Sequence, residues 1–309
     1  MSASSTDFAR SLLSTGEGPA IASAADLRAH LASLACDDTV DGAALGGARS
    51  DSLGWAFACG YEAAMRRLGP AVKSEGHLVA LAATEEGGGH PRAIQTALTR
   101  TPDGAAWQVT GDKGFVTLGT EADVLLVVAS VGQDDRGRNR LRVARVPASR
   151  DGVSLEPGTT LPFAPEIGHA RLKLRAVRVA DDELLPGDGY DDLLKPFRTI
   201  EDTHVLAAAV GWAIGVGATS RWDRTWTERA LATLASLRAI GRADPSSPST
   251  HLALAGALDL AHALLSGAAW DRASEPTRTR WERDRPLLDV ARHVRAARLE
   301  AAWRAISSA

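Results

Sequence analysis

The sequence predicts an α+β multidomain protein: a short N-terminal helical segment, a middle antiparallel β domain and a C-terminal helix bundle. Apolar residues recur at helical spacing early in the chain, and short runs rich in Val, Leu and Thr, separated by turn signals, fill the middle. Helical spacing returns after Pro186-Gly187-Asp188-Gly189 and continues to the end. The expected boundaries are 1–75, 76–185 and 186–309. Helices, then strands, then helices is not the strand–helix alternation of most folds that bind nucleotide cofactors.

In the first segment Leu27, Leu31 and Leu34 define one helical face, and Trp55, Cys59 and Ala63 a second. Gly46, Gly47 and the polar cluster at 50–52 are expected to interrupt it, and Gly69-Pro70 to end it. Strands are expected at 78–83, 94–100, 105–110, 114–118, 123–130, 140–146 and 170–179, with turns at 102–104, 136–139 and 149–152. In the last strand Leu172 and Leu174 alternate with Lys173 and Arg175, as in a sheet with one buried face. In the bundle, Leu254, Leu258, Ala261 and Leu265 mark one buried face, and Leu287, Val290, Val294 and Ala297 another. Residues 244–249 read as an interhelical loop, and Ser274-Glu275-Pro276 as a helix end or a further loop.

Composition narrows the functional classes. With 45% hydrophobic and 24% charged residues among 309, the chain is that of a globular protein able to bury a core. Thirty-five basic side chains against 38 acidic ones leave a net charge of -3, which excludes the basic footprint of a nucleic-acid binder. The longest apolar run, 205–218, is shorter than the ~20 residues needed to span a bilayer. Residues 1–18 lack a basic start followed by an apolar stretch, so no secretory leader is read and a cytoplasmic location is expected. Cys36 and Cys59 are too few for a disulfide framework or a cysteine-based zinc site and read as reduced core residues; no metal is expected. Neither GxGxxG after a strand nor GxxxxGK[ST] occurs.

The chemistry-bearing motifs lie in the middle. Leu81-Ala82-Ala83-Thr84-Glu85-Glu86-Gly87-Gly88-Gly89-His90-Pro91 is followed by Trp107 to Thr117, containing Gly111, Lys113, Phe115 and Thr117, and then by Ala122-Asp123 and the apolar run to Ala129. Val146-Pro147, Gly152-Val153 and the strand ending at Val179 follow, and Glu201 stands ten residues before Gly211. In this order, from about residue 76 to 220, these stretches resemble the signatures of the acyl-CoA dehydrogenase flavoproteins.

The resemblance implies an antiparallel β-barrel middle domain that holds FAD against a helix bundle. Carried over position by position, it implies that Ala83 and Thr84 face the flavin pyrimidine edge, Gly89 and His90 the pyrophosphate, Phe115 the ring, and Thr117 the region of N5. Small residues expose backbone N–H groups, hydroxyls add donors, and an aromatic plane covers a ring. Taken alone, the same residues also read as ordinary strand threonines, a core phenylalanine and a glycine turn.

The departures are specific. Glu86, His90 and Pro91 stand where the family has Pro, Ser and Asp, which removes a hydroxyl and adds a carboxylate near phosphate. The late loop that carries the base in most relatives has no counterpart between Trp281 and Ala309; the "R-x-x-F-G" element expected after the Trp226 to Arg229 region is reduced to an arginine without Phe-Gly, and no "Q-x-x-G-G" follows it in this sequence. In one branch of the family the base instead opens the first helix of the C-terminal domain, and by spacing that position is Glu201, with Asp202 in place of an arginine. Thr199-Ile200-Glu201-Asp202 also reads as a helix-start capping box, and His204 as a structural histidine. The resemblance thus implies a flavin-dependent α,β-dehydrogenation of an acyl-CoA thioester by a homodimer or larger homo-oligomer. The alternative is a non-catalytic relative that has lost FAD and serves as a binding or partner subunit.

Overall fold

The computed structural model describes residues 5–14, 20–34, 36–72 and 76–308; part of the stretch on which the leader reading rests, 1–4 and 15–19, lies outside the described residues. The chain divides into a helical unit, Met1–Arg67 with Pro162–Glu166 and Pro196–Ala309, and a β unit, Leu68–Leu161 with Ile167–Lys195.

The helical unit contains α1 (Ser5–Leu13), α2 (Ala24–Ala32), α3 (Thr39–Ala48), α4 (Leu53–Arg67), α5 (Lys195–Thr219), α6 (Arg224–Arg242), α7 (Pro248–Ser266), α8 (Glu275–Asp284) and α9 (Arg292–Ser307). Side-chain caps begin several of them: Ser23 accepts from the Asp26 N–H, Asp38 from Val40 and Asp41, and Ser274 from Thr277. Ser274-Glu275-Pro276 therefore starts a helix. Gly46 and Gly47 do not interrupt the segment; they lie inside α3. A Cβ on Gly47 would fall 2.0 Å from the Ala208 carbonyl oxygen, and one on Gly211 2.0 Å from that of Ala44, so α3 and α5 meet backbone to backbone. These glycines serve close approach between helices.

The apolar run at 205–218 belongs to α5, which is buried along most of its length. No described helix is long and apolar enough to cross a membrane. Leu254, Leu258, Ala261 and Leu265 are buried, as their spacing predicts. The face expected from Leu287 to Ala297 does not form: a 3-10 turn at Arg285–Asp289 breaks the period, Val290 is 57% exposed, and α9 proper starts at Arg292. A second core gathers Trp212, Trp222, Trp270 and Trp281, with Trp270 and Trp281 stacked at 4.2 Å. Cys59 is buried and its thiol is pushed up to about 12 by burial, whereas Cys36 is only half-buried; both are free.

The β unit holds β1 (Val79–Ala82), β2 (Ala97–Arg100), β3 (Trp107–Thr117), β4 (Val124–Gln133), β5 (Asn139–Pro147), β6 (Val153–Pro157) and β7 (His169–Val179). They form one sheet in the order β1-β4-β2-β3-β7-β6, with β5 on the other edge of β4. The antiparallel barrel is corrected here: β1 and β2 both run parallel to β4, and the curled sheet stays open. Alternating hydrophobicity reports a buried face but not strand direction, and the long connection from β1 to β4 is what permits the parallel pair. The stretches expected at 105–110 and 114–118 are one strand, β3. Gly111 lies within it; a Cβ there would lie 2.6 Å from Thr96 Cα, and the register with β7 slips beside it. β6, an edge strand, was not foreseen, because its residues are half-exposed and end in Pro157.

Candidate functional site

The end of β1 leads into the glycine-rich turn. Ala83 is buried and Thr84 half-buried; Thr84 bridges Phe115, and its carbonyl accepts the Gly114 N–H at 2.9 Å. Glu85 and Gly88 then exchange backbone hydrogen bonds of 3.2 and 2.8 Å, closing a turn in which Gly88 holds φ +98°. Gly89 follows so closely that a Cβ would meet Thr84 Oγ1 at 3.3 Å. Glu86 and His90 are exposed. His90 Nδ1 accepts the Arg92 N–H at 3.2 Å.

Beneath this turn lies a buried ion pair. Lys113 Nζ is fully enclosed and is bound by Glu85 Oε1 at 2.7 Å, the Val128 carbonyl at 2.7 Å and the Ala83 carbonyl at 3.5 Å. Glu85 also accepts from the Gln95 and Thr96 N–H groups and the Thr96 hydroxyl. Burial works against the ionised carboxylate, but Lys113 and Thr96 together hold it below its usual range. Glu85 thus anchors the turn. The sequence offered only its place in the motif.

Phe115, Thr117 and His169 form a face on the outside of the sheet. Val116 and Ala170, paired in register, point into the core with no exposure, so their neighbours Thr117 and His169, the next pair, point the other way. Leu118 follows Thr117 with φ +55° and donates to the Gly168 carbonyl at 2.8 Å, fixing the two strand ends. Phe115 is 37% exposed and stacks on the His169 imidazole at 4.1 Å. His169 Nδ1 is buried without a hydrogen-bond partner, and burial holds the imidazole pKa below its ordinary value. An exposed aromatic ring, a hydroxyl and an orphaned ring nitrogen on one face fit a flat, polar-edged heteroaromatic group such as a flavin. His169 was missed in the sequence, where nothing but the register opposite Thr117 distinguishes it.

Glu201 belongs to the helical unit. The capping-box reading is corrected: Asp188 caps a π-helical turn at Gly189–Leu194 that directly precedes α5, so residues 199–202 lie well inside helix. Thr199 is buried and its carbonyl accepts the Thr203 hydroxyl at 2.8 Å. Glu201 is half-buried, and no hydrogen-bond donor to its carboxylate is found among the described residues. Burial first, and then the adjacent Asp202 charge, push it up to about 7, against the smaller opposing effects of Arg295 and Arg198. Asp202 is buried and bound by two α9 guanidinium groups, Arg295 at 2.8 Å and Arg298 at 2.5 Å. These bring positive charge to the neighbour of Glu201 from α9, where Asp202 itself stands in place of an arginine. His204 is fully buried, with Nδ1 2.7 Å from the Ile200 carbonyl and Nε2 2.8 Å from the Thr39 hydroxyl; burial first of all lowers it to about 4, so it is a neutral structural histidine.

Residues 80–177 match the family model of the acyl-CoA dehydrogenase middle domain. Butyryl-CoA dehydrogenase from Megasphaera elsdenii superposes with a TM-score of 0.64 at 15% identity, covering 85% of this chain and 82% of its own. FMN-bound TdsC from Paenibacillus sp. A11-2 gives 0.65 at 16% identity over 97% of this chain and 94% of its own. Glutaryl-CoA dehydrogenase from Mycobacterium smegmatis gives 0.57 at 16% identity over 86% and 78%. No curated protein matches by sequence. Residues 80–177 thus match the acyl-CoA dehydrogenase middle domain, and most of the chain shares the fold of these solved structures, so the chain resembles the acyl-CoA dehydrogenases.

Proposed function

We propose that the chain is a flavin-dependent oxidoreductase that dehydrogenates an acyl thioester, such as an acyl-CoA, between its α and β carbons. The observation that carries this reading is Glu201: a half-buried carboxylate with no donor among the described residues, pushed up to about 7. A base poised near neutral pH suits removal of a proton from the carbon next to a thioester carbonyl. When bound, the flavin supplies a two-electron hydride acceptor. In this reading Ala83, Thr84, Phe115 and Thr117 hold its ring system, Gly89 and His90 its phosphate side, and Glu201 holds the α-proton. The working form is a homodimer or larger homo-oligomer, which sedimentation would measure.

FAD is the cofactor the family resemblance implies. FMN is a second reading, supported by the lack of a Phe-Gly pair after Arg229 and by His90 where the family has a serine. The deciding experiment is the visible spectrum of the purified protein before and after addition of FAD or FMN, followed by anaerobic addition of acyl-CoA. A flavin band that bleaches with acyl-CoA supports the proposal, and Glu201→Gln should slow bleaching by about 10²- to 10⁴-fold. Failure to take either flavin would leave the non-catalytic binding subunit as the better account.

A further inference from the structure

We infer that His169 is a cofactor-contacting residue: its imidazole, stacked on Phe115 and level with Thr117, hydrogen-bonds a polar edge of the bound flavin ring through Nδ1. This rests on the flavin reading above and adds to it a residue that the family motifs do not include.

Three separate features of the β unit point to it. The cross-strand pair Thr117–His169 places both side chains on the sheet face opposite the core pair Val116–Ala170. The imidazole lies nearly parallel to the Phe115 ring, at 4.1 Å and 27°, so the two make one extended aromatic surface beside the Thr117 hydroxyl. Nδ1 is buried and has no partner among the described residues, which is uncommon for a ring nitrogen that serves packing alone. Burial keeps the ring neutral at pH 7, and a neutral imidazole can offer either a donor or an acceptor at Nδ1 according to its tautomer. A purely structural histidine looks different here: His204 has both ring nitrogens engaged.

The test titrates FMN, and separately FAD, into the wild-type protein and into His169→Phe, which keeps the stacked ring and removes the nitrogens. The expected result is about tenfold weaker flavin binding by His169→Phe, the loss corresponding to one hydrogen bond, with a displaced visible absorption maximum of the bound flavin. Nitrogen NMR of ¹⁵N-histidine-labelled wild-type protein gives a readout that needs no variant to fold: one imidazole Nδ1 should move on flavin addition. Equal affinity and an unchanged spectrum in His169→Phe, or histidine signals that do not respond to bound flavin, would overturn the assignment while leaving the flavin reading intact. A wild-type protein that takes neither flavin would overturn both.

Discussion

Glu85 and Glu201 are both motif glutamates removed from bulk water, and the fold treats them in opposite ways. Glu85, in the β unit, receives an ammonium, two backbone N–H groups and a hydroxyl, and its carboxylate is held below the usual range. Glu201, in the helical unit, has no donor among the described residues and a like charge as its neighbour, and is pushed up to about 7. Burial alone decides neither case; the number of donors that arrive with it does. Where donors saturate a carboxylate the result is an anchor, and where they are withheld it is a carboxylate that titrates near neutral pH.

The largest effect should come from breaking the anchor. Lys113→Met strands Glu85 beside an apolar side chain and should cost roughly 3–5 kcal/mol, read as a lower denaturation midpoint in urea. A loss below about 1 kcal/mol would mean that the three remaining donors satisfy Glu85 and that the pair is not what holds the turn.

Asp202→Asn comes next. It leaves Arg295 and Arg298 without their shared carboxylate and should cost roughly 2–3 kcal/mol. It also removes the like charge beside Glu201 and frees two cations near it, so the Glu201 titration should move down by roughly one pH unit. Carbon NMR of labelled glutamate would follow this. An unmoved titration would show that burial alone sets Glu201.

The smallest change should be a gain. Glu201 ionises near 4.5 in the unfolded chain and near 7 in the fold, so the native state binds the extra proton between these values. The ionised form therefore destabilises the fold progressively as pH rises from 4.5 to 7, and constantly above that. Glu201→Gln should match wild type near pH 4.5 and exceed it by roughly 1–3 kcal/mol at pH 8, as thermal melts across that range would show. A stability difference independent of pH would place Glu201 in an ordinary aqueous setting.

Several residues of the candidate site were singled out by the sequence. The order of the middle-domain motifs brought out Thr84, Phe115 and Thr117, and the fold puts Thr84 opposite Phe115 and both strand residues on one outer face. His169 was not legible, because its meeting with Thr117 depends on the register slip between Lys113 and Val116, and a one-residue difference would turn it to the other face. The cap reading of residues 199–202 failed for a related reason. Thr-x-x-Asp is a start signal only where the preceding chain is not helical, and here helical turns already run from Gly189. The glycines at 46 and 47 read as breaks, since a sequence cannot distinguish a glycine that bends the chain from one that admits a neighbour.

Local periodicity determined by itself the helical, β and helical texture, the buried faces of α4 and α7, and the glycine-rich turn after β1, because those follow from side-chain spacing and backbone freedom over a few residues. Only the tertiary structure decided the parallel pairing of β1 and β2 with β4, the company of His169, and the charges around Glu201. Arg295 and Arg298 reach Asp202 from 93 and 96 positions further along the chain. Electrostatic interaction falls with distance in space, and nothing in the spacing of residues along the chain reports that distance.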